Sequence, residues 1–269
     1  GMGSYKSVFR GKGLDFSEYR PYDNNDDASL IDWKASMRTN QILIRQYEEE
    51  RDLNVFFVVD CSSGMIFGST DKLKNEYAAE LVISLAFTIL DAGDSVGLVM
   101  FNDKVVKKVY PGKGRGQFYS IIKALSDPNN YGGGFDFDNV TDLILSYIKP
   151  SSVVIFLSDF VGLKESSLEK LKLVTNKYDT VGGMVRDPRD KTLPEDAGQV
   201  VIEDPYSNKS LLIEPKLIKE VYEEEIKKQE KWIKDSFMIN KSDFLSLTTD
   251  KSFVKPVIGL FMERTIKWR

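Results

Sequence analysis

Two aspartates stand at the ends of apolar runs. Asp60 follows Asn54-Val55-Phe56-Phe57-Val58-Val59, and Asp159 follows Ser152-Val153-Val154-Ile155-Phe156-Leu157-Ser158. Uninterrupted apolar runs of this length read as strands buried on both faces, of the kind found in the middle of parallel sheets. Ligands of open α/β sheets bind beyond the carboxyl ends of the strands, so if these two strands are neighbours their carboxylates meet at one edge. Two buried carboxylates repel each other and call for a cation or for helix N-termini. Ser62 lies two residues beyond Asp60, in the turn Cys61-Ser62-Ser63-Gly64-Met65, and adds a hydroxyl that can face the same ion. The plainer alternative stays open: both aspartates cap strand ends by accepting hydrogen bonds from loop amides.

The rest of the composition narrows the chemistry. The 269 residues contain no histidine and one cysteine, Cys61. A Ser-His-Asp or Cys-His nucleophile is therefore excluded, as is a Cys/His zinc site. Any metal must be a hard cation held by oxygens, with Mg2+ first and Mn2+ or Ca2+ as alternatives. A lone cysteine suits a reducing compartment, and no basic-then-apolar leader opens the sequence, so a cytoplasmic location is expected. Gly1-Met2 looks like the trace of a removed tag. A net charge of −4 speaks against nucleic-acid binding. No apolar run of about 18 residues is present, so no membrane insertion is expected.

Several elements must position the aspartates. Leu73 to Ala92 has apolar residues at helical spacing and ends at Gly93. Residues 95–101 and 180–185 read as further buried strands, and Val105 to Tyr110 as an edge strand in a hairpin. Helices are expected over 117–125, 140–148 and 164–178. The βαβ alternation predicts a doubly wound, mostly parallel α/β sheet flanked by helices. The last third reads as a hairpin over 199–213, a charged helix over 216–234 and an amphipathic helix over 253–267. The runs at 54–60, 95–101, 152–158 and 180–185 should be the central strands of one sheet.

The segment Val58-Val59-Asp60-Cys61-Ser62-Ser63-Gly64-Met65 resembles the Asp-x-Ser-x-Ser motif of von Willebrand factor A domains, and Leu157-Ser158-Asp159-Phe160 resembles that family's later metal-site aspartate. Upstream, Gly11-Lys12-Gly13-Leu14-Asp15-Phe16-Ser17-Glu18-Tyr19-Arg20-Pro21-Tyr22, Asp26-Asp27 and Ile31-Asp32-Trp33-Lys34-Ala35-Ser36-Met37-Arg38-Thr39 resemble the signature of the domain of unknown function 58 family, whose members carry it directly before a von Willebrand A-like domain. The resemblance implies an N-terminal extension over 1–53 packed on the main domain, a von Willebrand A-like domain over 54–198, and a C-terminal hairpin and helices over 199–269 completing that domain. It implies a non-enzymatic adaptor with a metal-ion-dependent adhesion-like site, working with a MoxR-type AAA+ ATPase and its client proteins in assembly or maturation.

Two positions depart from the family pattern. Gly64 stands where serine is usual, and Phe135 falls where the metal-site threonine belongs. Asp136 is the expected replacement ligand beside Asp60, Ser62 and Asp159, with Asp138 and Thr141 as alternatives. Tyr19, Arg20, Tyr22, Trp33 and Arg38 are of the types that dominate binding hot spots and are expected to contact a partner; the competing reading makes the charged N-terminal block a salt-bridged clamp. A second functional class, a metal-assisted phosphohydrolase using Asp60 and Asp159, lacks the second carboxylate two residues on, where Ser62 stands. The run Gly112-Lys113-Gly114-Arg115-Gly116 lacks the Gly-Lys-Ser/Thr ending of a P-loop.

Overall fold

A computed structural model describes residues 16–47, 53–192, 200–203 and 210–267. The motif residues Gly11 to Asp15, the charged turn Glu48 to Asp52 and the hairpin turn Asp204 to Lys209 lie outside them. The centre is a six-stranded sheet of β3 (Asn54–Asp60), β4 (Ser95–Phe101), β5 (Val105–Gly112), β6 (Val153–Ser158), β7 (Asp179–Arg186) and β10 (Asp243–Thr248). Its order is β10-β7-β6-β3-β4-β5, and every pairing is parallel except β4 with the edge strand β5. The four apolar runs expected to be central are the four internal strands. The fold is the expected mostly parallel, doubly wound α/β sheet flanked by helices.

Strand periodicity divides the core into two layers. Val55, Phe57 and Val59 of β3 pack with helices α2 (Lys74–Asp91), α3 (Gly114–Ser126) and α7 (Val254–Lys267). Phe56 and Val58 face the opposite way, against α4 (Phe137–Tyr147), α5 (Ser166–Lys177) and α6 (Pro215–Ile239). Burial on both faces is why these strands carry no polar alternation.

Some boundaries move. Helix α3 begins at Gly114, inside the glycine-rich run and before the expected 117. Strand β10 has no counterpart among the expected elements. It pairs with β7 from Asp243↔Val181 to Thr248↔Arg186. Arg264 of α7 anchors it: its two terminal nitrogens each lie 2.9 Å from the Asp179 carboxylate, and Nε lies 2.6 Å from Asp243 Oδ2. The C-terminal helix is thereby tied to the starts of two neighbouring strands.

The N-terminal segment forms its own small sheet, β1 (Phe16–Pro21) antiparallel to β2 (Leu43–Tyr47), with α1 (Trp33–Thr39) between them. The hairpin β8 (Val200–Glu203) with β9 (Ser210–Ile213) is a third sheet. No helix among the described residues is long and apolar enough to cross a membrane.

Candidate functional site

Strand order reverses between β3 and β6, the place where a doubly wound sheet opens a crevice. Both aspartates arrive there. Asp60 is the last residue of β3, and Asp159 directly follows β6, whose Leu157 is in register with Val59. Asp60 is 0% exposed, and Ser62 and Asp159 are buried beside it. The sequence therefore identified three residues that the fold brings to one edge.

Their hydrogen bonds are those of strand-end caps. Asp60 Oδ1 accepts from the Ser62 amide at 2.8 Å, and Oδ2 from the Ser158 hydroxyl at 2.6 Å. Ser158 Oγ in turn accepts from the Phe160 amide at 2.9 Å. Asp159 Oδ1 accepts from the Val161 amide at 3.1 Å, and its backbone carbonyl from Arg186 Nε at 3.0 Å. Burial pushes the Asp60 carboxyl up to about 6; the Ser158 and Ser62 hydrogen bonds hold it down, and neighbouring Asp159 adds to the rise.

The remaining oxygen, Asp159 Oδ2, carries what the sequence did not reveal. Lys74, the first residue of α2, places Nζ 3.1 Å from it and 2.9 Å from Asp190 Oδ2. Lys74 is only 4% exposed. Burial alone would depress this ammonium, but Asp159 and Asp190 outweigh that and raise it, so it stays charged. Asp190 Oδ2 also accepts from the Asp187 amide at 2.9 Å, and Asp187 accepts from the Ser69 amide at 2.6 Å and the Ser69 hydroxyl at 2.5 Å. The loops after β3 and β7 are thus joined through Lys74, Asp190, Asp187 and Ser69.

The expected substitute ligands go elsewhere. Asp136 caps α4 by accepting from the Asn139 amide at 3.1 Å. Asp138 accepts from Ser166 and Ser167, joining α4 to α5. Thr141 is buried and donates to the Asp138 carbonyl at 2.8 Å. Phe135 lies against Phe101, and a Cβ on Gly162 would meet its ring at 2.5 Å. The glycine loop does reach the site, since Ser63 N donates to the Gly133 carbonyl and Gly132 N to the Cys61 carbonyl. It brings backbone, not a ligand.

A divalent cation does not fit this arrangement. Among the described residues, no three acidic or cysteine side chains gather where they could hold one. Asp159 Oδ2 already faces the full positive charge of Lys74, and Gly64, where serine is usual, brings no hydroxyl to a cation. Asp60 is sealed from solvent, and burial together with the nearby Asp60 charge pushes the Cys61 thiol up to about 12. Cys61 Sγ donates to the Phe101 carbonyl at 3.1 Å. It is expected to react with a thiol reagent at least tenfold more slowly in the native protein than after unfolding in urea, because only the thiolate attacks. Equal rates would show an open thiol.

The five N-terminal residues divide. Tyr19 donates to Asp32 Oδ2 at 2.8 Å, and Arg20 pairs with Asp26. Asp32 also caps α1 through the Ala35 amide and lies 3.7 Å from Arg45. Tyr19, Arg20, Arg45 and the carboxylates of Asp26 and Asp32 are thus bonded to one another within the N-terminal segment. Tyr22 is half-buried, whereas Trp33 and Arg38 project outward from α1.

The sequence profile described as "Protein of unknown function DUF58" matches residues 18–232. A curated relative, "Uncharacterized protein Rv1480" of Mycobacterium tuberculosis (strain ATCC 25618 / H37Rv), is 25% identical over 207 residues, covering 76% of this chain and 65% of its own length. This chain thus spans just under two thirds of that relative. Among solved structures, BatB from Bacteroides thetaiotaomicron superposes with a TM-score of 0.47 at 16% identity, over 80% of this chain and 99% of that one. A von Willebrand factor type A protein from Catenulispora acidiphila gives 0.45 at 11% identity, over 83% and 43%.

Proposed function

Starting from the fact that the chain belongs to the DUF58 family, we propose that it is a non-enzymatic, protein-binding module whose contact surface is the loop edge beyond β3 and β6. The von Willebrand A-like fold supports an interaction role in general. The observation that carries the specific reading is the character of that edge. Asp60, Asp159 and Lys74 at its centre are buried and hydrogen-bonded, while Phe67 and Val161, in the loops following the two strands, are 69% and 53% exposed. Exposed apolar groups around a sealed polar centre suit docking, since apolar burial drives association and unpaired charge opposes it. A phosphohydrolase would need the reverse, an accessible carboxylate.

The finer parts of the reading belong to the same proposal. The partner is a MoxR-type AAA+ ATPase or its client, the role is assembly or maturation, and the compartment is the cytoplasm. A cation-bridged contact, with Mg2+ on Asp60, Ser62 and Asp159, would have to displace Lys74 from Asp159. Binding of the purified chain to a MoxR-type ATPase from the same source, followed by calorimetry, tests the proposal. Phe67→Asp combined with Val161→Asp is expected to weaken binding by tenfold or more, and Trp33→Ala combined with Arg38→Ala to leave it within about twofold. The reverse pattern moves the contact to the N-terminal segment. Phosphoester turnover that Asp60→Asn abolishes would replace this reading with an enzyme.

A further inference from the structure

We propose that Lys74 is the built-in cation of this site: its ammonium, seated between Asp159 and Asp190, stands where a divalent ion would otherwise be needed, so the edge keeps its shape without metal. The position of the lysine is the first argument. It is the first residue of α2, and the N-terminus of a helix disfavours a cation, because the backbone dipoles present positive charge there. Lysine is also among the residues least often buried unless paired. Something other than the helix holds it, and the two carboxylates at 3.1 and 2.9 Å are what it touches.

The second argument is electrostatic. Magnesium binds oxygens at about 2.1 Å, so an ion on Asp159 Oδ2 would lie no more than about 5 Å from the Lys74 nitrogen. In this buried setting that repulsion is weakly screened. The lysine and the ion are therefore alternatives for one oxygen. The third argument is the residue at position 64: a Cβ there would stand 3.2 Å from Oδ2, so this position adjoins the same oxygen, and glycine brings it no hydroxyl. Asp60 adds a carboxylate that Ser62 and Ser158 already satisfy. One lysine thus replaces the ion, and one glycine replaces the hydroxyl that would have helped to hold it.

The consequence for partners rests on the binding-module reading: contacts through this edge proceed in chelator. The test of the lysine itself needs no partner, so the two ideas fail separately. Binding of Mn2+ is followed by loss of the free-ion electron paramagnetic resonance signal, and thermal unfolding is compared in EDTA and in millimolar MnCl2. The wild type is expected to bind no Mn2+ in the millimolar range and to unfold at the same temperature in both solutions. Lys74→Gln is expected to acquire one Mn2+ site and a higher unfolding temperature in MnCl2, or to fold only with MnCl2 present. Adding Asp159→Asn to it should remove the site. A wild-type Mn2+ site that Asp159→Asn abolishes overturns the proposal. So does a Lys74→Gln chain that binds no ion, or that stays unfolded even in MnCl2.

Discussion

Phe237→Ala is expected to cost the folded protein about 3–5 kcal/mol, the range for deleting a fully buried aromatic ring. Phe237 of α6 is 0% exposed. Its ring lies 5.0 Å from Phe160, 5.5 Å from Phe244 and 6.3 Å from Phe156, centroid to centroid. It also lies over Gly182 of β7, where a Cβ would fall 2.7 Å from the ring. The ring thus fills space that the strand itself leaves empty, and neighbouring groups cannot collapse into the void without moving α6. The effect reaches the site through Phe160. That residue follows Asp159 and has φ 54, a left-handed conformation that costs a non-glycine residue about 1–3 kcal/mol and persists only where its surroundings enforce it. Phe137 and Phe237 flank its ring. Urea unfolding should therefore show the full loss for Phe237→Ala, against a change of no more than about 1.5 kcal/mol for Phe87→Ala, whose ring is 55% exposed and meets Phe118 edge-on. A loss below about 1.5 kcal/mol would mean that α6 is not held to the sheet by this ring.

The same packing explains what the sequence made legible. Strands β3, β4, β6 and β7 are each covered by helices on both faces, and double burial writes itself as continuous apolar sequence. Strand β10 is an edge strand with one neighbour, and in Asp243-Phe244-Leu245-Ser246-Leu247-Thr248 only Leu247 is fully buried. Its weak alternation between two helices gave no comparable signal. Asp60, Ser62 and Asp159 were legible because strand ends in such a sheet converge at one edge. Lys74 and Asp190 were not. A lysine at a helix start and an aspartate in a turn look solvated in any one-dimensional reading; only the return of β7 beside β6 brings Asp190 to the lysine. Asp136 and Asp138 lie close to the position the missing threonine would take, and the sequence did not show that Asp136 also caps a helix or that Asp138 bonds to the next one.

Asp60→Asn is expected to make the protein more stable at neutral pH, by up to about 3 kcal/mol, and to leave little difference near pH 4. Burial raises the Asp60 carboxyl from 3.8 to about 6 in the folded protein, and each unit of displacement corresponds to about 1.4 kcal/mol. Because the folded value is the higher one, the sign is opposite to that of a salt-bridged carboxylate. Below the unfolded value both states are protonated and Asp60 contributes nothing. Between about 4 and 6 the folded state binds more protons than the unfolded state, so stability falls as pH rises. Above about 6 the cost of the buried charge is present in full. Asparagine keeps an oxygen for the Ser62 amide and removes the charge beside Asp159. Other carboxylates titrate the other way: Asp187 is held below its usual range, since the Ser69 and Arg189 hydrogen bonds outweigh its burial, and its stabilisation fades as pH falls. The quantity to measure is therefore the wild-type minus variant difference in unfolding free energy, from pH 4 to pH 8, by denaturant titration at each pH. A difference that grows across pH 4 to 6 and then levels off fits a buried Asp60 that ionises against its surroundings. A difference independent of pH would show that Asp60 titrates as it does in the unfolded chain, and that Ser62, Ser158 and the nearby lysine together compensate its burial completely.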